Sequence, residues 1–206
     1  LLGDFKYDNW VSMLLSPDEK SLFILSVGDL CIIDVSDPTL PVQIFTQELD
    51  HGCFQHFLYS VRKMACMYFP LTISSDGKTL FILYDTKLII YDISLPKSPI
   101  PLYHKILQYG DLRGGGGGLA LTKDKKRLVF GTMKGFVIWD VANPKDPILI
   151  LTQDVAQVFS VTFSDDETKV ILGVDLAPEL TMRLFTDFNL YIYDITDLKK
   201  PSMIFL

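Results

Sequence analysis

Three stretches of this chain hold the side chains with chemical potential. His51, Cys53 and His56 fall in ELDHGCFQHFLYSVRKMA, residues 48–65. Imidazole and thiolate are transition-metal ligands, but H-x-C-x-x-H matches no zinc pattern, and a loop is a poor preorganised site. The run Gly114 to Gly118 follows Asp111, Leu112 and Arg113. Bare backbone N–H groups can cradle an anion. A phosphate loop would end in Gly-Lys-Ser/Thr and open a helix, whereas LALTKDKKRL follows here, so the glycines read as a linker and Arg113 as a group for an acidic partner. In DLAPELTMRLFTDF, residues 175–188, Asp175, Glu179, Arg183 and Asp187 interleave with Leu180, Met182, Leu184 and Phe185. Those carboxylates lack the spacing of a calcium loop, and the mixture suits a docking surface. The expectation is binding by His51, Cys53, His56, Arg113, Asp175, Glu179 and Arg183, with no catalytic residue, metal or cofactor assigned.

The elements that must position these loops announce themselves by repetition. LCIIDVSDPTLPV, LIIYDISLPKSPI, FVIWDVANPKDPI and LYIYDITDLKKPS each run from an apolar strand ending in Asp, through a polar turn, to a Pro that opens another strand. Asp34, Asp92, Asp140 and Asp194 are 58, 48 and 54 positions apart, and Pro41, Pro99, Pro147 and Pro201 keep the same intervals. A fixed period of this length marks a stacked or radial repeat. Asp carboxylates at these strand ends can accept turn N–H groups, while Pro38, Pro96 and Pro144 preset φ.

A second phrase precedes the first: SPDEKSLFIL, SSDGKTLFIL, TKDKKRLVFG and SDDETKVILG. Asp18, Asp76, Asp124 and Asp166 mark a hairpin turn there, with Gly77 suited to positive φ. Each copy parses into four strands, in the third at about 118–122, 128–132, 136–141 and 148–152. Four meandering antiparallel strands per repeat make a propeller blade. A sandwich of unrelated strands predicts no phase-locked turns. The blades are expected at about 9–47, 67–108, 117–153 and 158–206, with 1–8 as the tail of a preceding or closing outer strand.

At these residues the chain resembles the LVIVD-repeat β-propellers, whose stretch reads Leu-Val-Ile-Val-Asp-Val-Ser-Asp-Pro-x-x-Pro. Leu30 to Val42 is close to it; Leu95 replaces the Asp before Pro96, and Leu198 replaces the first Pro in the last copy, which weakens that turn. The resemblance extends more broadly to WD-repeat and YVTN-type propellers. It implies an all-β propeller with no common activity. LLGDFKYD and PSMIFL meet at one phase of the repeat, as in an excerpt of a larger ring or in a closed ring; blade numbers in this superfamily favour the excerpt.

Composition narrows the partners. With 25 Asp and Glu against 19 Lys and Arg the net charge is −6, and the basic residues are scattered, which disfavours nucleic acid. No apolar run is long enough for a membrane helix. Cys31 reads as a buried strand residue, and Cys53 and Cys66 flank one loop. In a blade the first and third connections share one face, and the second and the blade-to-blade links share the other. Loops 48–65, 109–118 and 175–188 all belong to the second face, so a protein partner or another part of its own chain is expected there. The alternative is a lactonase-like hydrolase or metal-dependent enzyme whose ligands come partly from further blades.

Overall fold

The computed structural model describes residues 12–26, 29–49, 70–84, 87–107, 118–132, 134–175 and 188–205. All regular structure among these residues is strand. Two compact units, Leu1–Leu107 and Gln108–Leu206, each hold two sheets. In the first unit β1 (Ser12–Leu15), β2 (Ser21–Leu25), β3 (Asp29–Asp34) and β4 (Val42–Glu48) form one antiparallel meander, and β5 (Leu71–Ile73), β6 (Thr79–Tyr84), β7 (Lys87–Asp92) and β8 (Ile100–Ile106) form the next. The second unit has β9 (Leu119–Leu121), β10 (Arg127–Gly131), β11 (Gly135–Asp140) and β12 (Ile148–Asp154), then β13 (Gln157–Phe163), β14 (Lys169–Asp175), β15 (Phe188–Asp194) and β16 (Ser202–Phe205).

The middle strands of the first three sheets are apolar and buried on both faces, so those sheets are covered on both sides. In the first unit Phe23, Leu25, Leu30 and Ile32 pack with Leu80, Ile82, Tyr84, Ile89 and Tyr91. The Tyr91 hydroxyl donates to Gln47 Oε1 at 3.1 Å. In the second unit Val129, Phe136 and Ile138 pack with Val158, Val170, Leu172, Tyr191 and Tyr193, and the Phe136 and Tyr193 rings meet edge-on at 5.3 Å. Burying each such side chain contributes about 1.5–3 kcal/mol before entropy is counted. The other flank of the fourth sheet differs. Ile171, Leu190 and Ile192 occupy the register of Val129, Phe136 and Ile138, yet Ile171 and Ile192 are half-buried and Leu190 is 49% exposed.

The outermost strand of every sheet carries a β-bulge at one place. The register slips between Ile32 and Ile33, Ile90 and Tyr91, Ile138 and Trp139, and Ile192 and Tyr193. The extra residues are Ile44, Leu102, Ile150 and Ile204. A bulge interrupts the ladder and tightens the twist, which discourages pairing of the exposed edge with another strand.

One end of each sheet is closed by the two repeated turns. In the first turn Ser16, Ser74, Thr122 and Ser164 donate their hydroxyls to Asp18, Asp76, Asp124 and Asp166 at 2.6, 2.6, 2.6 and 2.5 Å. The same hydroxyls accept the N–H of Ser21, Thr79, Arg127 and Lys169 at 2.9–3.0 Å. The carboxylates also accept the N–H of Lys20, Lys78, Lys126 and Thr168. Gly77 has φ +69°, and its counterparts Glu19, Lys125 and Glu167 sit at 60°, 62° and 56° without the help of glycine. The hydrogen-bonded cage thus imposes the left-handed conformation on ordinary residues, at a cost of about 1–2 kcal/mol each.

In the second turn Asp34, Asp92, Asp140 and Asp194 accept the N–H two residues ahead at 2.8–3.0 Å. The loop then closes from Leu40, Ser98, Asp146 and Lys200 N–H to the carbonyls of Asp37, Leu95, Asn143 and Asp197. With Leu198 in place of the first Pro, the last turn keeps its hydrogen bonds: Asp197 accepts from Lys199 N–H at 2.9 Å. Its equivalents Asp37 and Asn143 accept likewise from Thr39 and Lys145. At that position the second copy has Leu95, a side chain with no acceptor, left 70% exposed.

These bonds favour the charged carboxylates. Hydroxyl donors are the main cause holding Asp18, Asp34, Asp37, Asp124 and Asp166 below the usual carboxylate range, and the Thr196 N–H leads for Asp194. Between the third and fourth sheets, Lys123 Nζ meets Asp165 at 3.1 Å, Lys123 N–H donates to Glu167, and Arg127 lies over the Phe163 ring.

Three predictions follow from the turns and strand ends. Ser74→Ala strips a buried hydroxyl that serves both Asp76 and Thr79. It should cost about 1–3 kcal/mol in a denaturant melt, whereas Ser74→Thr, the solution used at Thr122, should retain most of the stability; equal melts for the two would refute the assigned role.

Gly135, at φ +154°, would place a Cβ 1.9 Å from the Gln153 carbonyl oxygen. Gly135→Ala should therefore destabilise by about 1–3 kcal/mol or more, and Glu19→Gly should stabilise by about 0.5–1 kcal/mol by relieving αL strain. Opposite signs in the same calorimetric series are the expected outcome.

For the lowered carboxylates the folded pKa lies below the unfolded value of about 3.9, so their contribution is full above about pH 4 and lost as pH falls through the folded values. The stability deficit of Ser164→Ala should accordingly be largest near neutrality and shrink below about pH 4. A deficit that stays constant down to about pH 2 would detach it from Asp166.

Candidate functional site

In each meander the second connection and the exit of the fourth strand lie at the end opposite the turns. That end is marked by Asp29 paired with Glu48, by Lys87 between Tyr84 and Ile106, by Gly135 paired with Asp154, and by Asp175 between Gln157 and Phe188. Asp175, the last residue of β14, therefore stands at the loop end of the fourth sheet, where the 175–188 connection begins. His51, Cys53, His56, Arg113, Glu179, Arg183 and Asp187 lie outside the described residues, as do Cys66 and most of loops 48–65, 109–118 and 175–188.

The described anchors of those loops are firmly seated. Leu49 is buried in the core of the first unit just after Glu48. Gly118, the last of the glycine run, has φ +23° and donates its N–H to the Phe159 carbonyl at 3.0 Å. A Cβ there would fall 2.5 Å from Val161 N, so this glycine is required by the close approach of two backbones. Val158 N–H donates to the Thr132 carbonyl at 3.0 Å, and β13 bulges between Val158 and Ser160. Backbone bonds thus join the third and fourth sheets at their loop ends. Gly131 permits the joint, since a Cβ there would lie 2.6 Å from Val158 Cγ1.

Two further side chains of ligand type lie on strands. Cys31 is buried, with its thiol 3.5 Å from Thr46 Oγ1. His104 lies exposed on β8 opposite Ile89. Among the described residues, no group of three or more His, Cys, Asp or Glu side chains is arranged to hold a metal. The turn carboxylates, with pKa values pulled down by local donors, are weak bases near neutrality and are poorly suited to proton transfer. The Ser and Thr hydroxyls that organise those turns were readable as a recurrent S/T-x-D two residues before each Asp, a signal eclipsed by the more conspicuous Asp and Gly.

A family model described as the LVIVD repeat matches residues 21–47, which span β2, β3 and most of β4. No curated protein matches the sequence. Among solved structures the chain is similar to a candidate 6-phosphogluconolactonase from Bacteroides uniformis, at TM-score 0.68 and 12% identity over 94% of this chain and 53% of that one. It is also similar to the periplasmic gluconolactonase of Pseudomonas aeruginosa, at TM-score 0.65 and 14% identity over 89% of this chain and 49% of the other. The Cps50 (Swd1) β-propeller domain of Myceliophteria thermophila matches at TM-score 0.57 and 10% identity, over 82% of this chain and 49% of that one. The chain spans about half the length of these propellers, and at such identities the likeness is one of fold. Four four-stranded meanders and these neighbours give the chain a β-propeller fold, with the LVIVD-repeat match confined to residues 21–47.

Proposed function

We propose that this chain is a non-catalytic propeller module that binds a protein, or another part of its own polypeptide, through the ends of the sheets that carry loops 48–65, 109–118 and 175–188. One contrast carries the proposal. The turn ends repeat the same hydrogen-bond pattern, apart from the acceptor missing at Leu95, whereas the opposite connections vary: Leu25 to Asp29, Tyr84 to Lys87 and Gly131 to Gly135 are short, but Asp175 to Phe188 is long. Variation on a rigid scaffold is where binding concentrates. The sequence of these loops combines the polar and ligand-type residues His51, Cys53, His56, Arg113, Asp175, Glu179 and Arg183 with the apolar Leu180, Leu184 and Phe185. The net charge of −6 argues against nucleic acid as the partner.

A second reading, hydrolysis of a sugar lactone, draws on the gluconolactonase titles of two neighbours. It requires inward-facing ligands from several blades. The first strands β1, β5, β9 and β13 carry no His, Asp, Glu or Asn among their described residues, so this reading would need such ligands from elsewhere.

The two readings separate in one experiment on the full-length protein. Partners are captured with wild type, with Arg113→Ala, Arg183→Ala and Leu184→Ala, and with Asp37→Ala at the turn end. At least one loop variant should weaken a specific partner by about 10-fold or more while its melting temperature holds, and Asp37→Ala should bind normally. Unchanged binding by every loop variant would overturn the module; turnover of 6-phosphogluconolactone or gluconolactone, with stoichiometric metal, would establish the hydrolase instead.

A further inference from the structure

We draw no further inference here: the strongest candidate, the flank of the fourth sheet where Ile171, Leu190 and Ile192 stand partly exposed at positions whose third-sheet counterparts are buried, is an apolar face without a partner among the described residues, and nothing in the structure shows what covers it.

Discussion

Burial of the apolar middle strands, on both faces in the first three sheets and on one in the fourth, is the constraint on which the other features depend. SLFIL, TLFILY, RLVFG and KVILGV are nearly unbroken apolar runs, so alternate residues cannot be divided between a core side and a water side. A lone four-stranded sheet of this composition would leave both apolar faces in water. Stacking one sheet on the next covers one face of each: Phe23 and Ile32 lie against Leu80 and Tyr91, and Phe136 and Ile138 against Leu172 and Tyr193.

Stacking demands register, and register is supplied at the turns. A slip of one residue would turn every side chain of a strand to the wrong flank. The Ser/Thr and Asp pair of the first turn fixes where the second strand begins, and the Asp at the end of the third strand fixes where the second turn begins. Val35, Ile93, Val141 and Ile195 then donate back to the carbonyls of Lys20, Lys78, Lys126 and Thr168, which ties the two turns of each sheet together. The closure is strong enough to keep Glu19, Lys125 and Glu167 in the left-handed region, so local propensity yields to the hydrogen-bond network.

Much of this was legible in the sequence because repetition amplifies weak signals. A single Asp before a Val-Ser would say little, but four at matching phase define the strand ends, and the third-copy strands fall within two residues of where the pattern puts them. The bulges were not legible. Ile44, Leu102, Ile150 and Ile204 are ordinary β-formers, and an extra residue in an edge strand arises from twist and packing rather than from a residue type. The joint at Gly118, Gly131 and Phe159 was hidden too, because it depends on how closely two backbones from different sheets approach. Of the candidate site, Asp175 has a described backbone at the loop end; the other six residues fall in the stretches that break the repeat, where phase gives no leverage.

The same repetition that reveals the fold separates its carboxylates from its chemistry. A general acid or base works with a pKa near the ambient pH, and enzymes achieve this by burial or by like charges that push a carboxyl upward. Asp18, Asp124 and Asp166 are shifted the other way, by donors belonging to their own turns, and each carboxylate organises the strand that follows it. Lactonase-like neighbours at 12–14% identity share this scaffold without transmitting an activity through it. The carboxylates of the repeated phrase are thus committed to organising turns, while the connections at the loop ends differ in length from sheet to sheet.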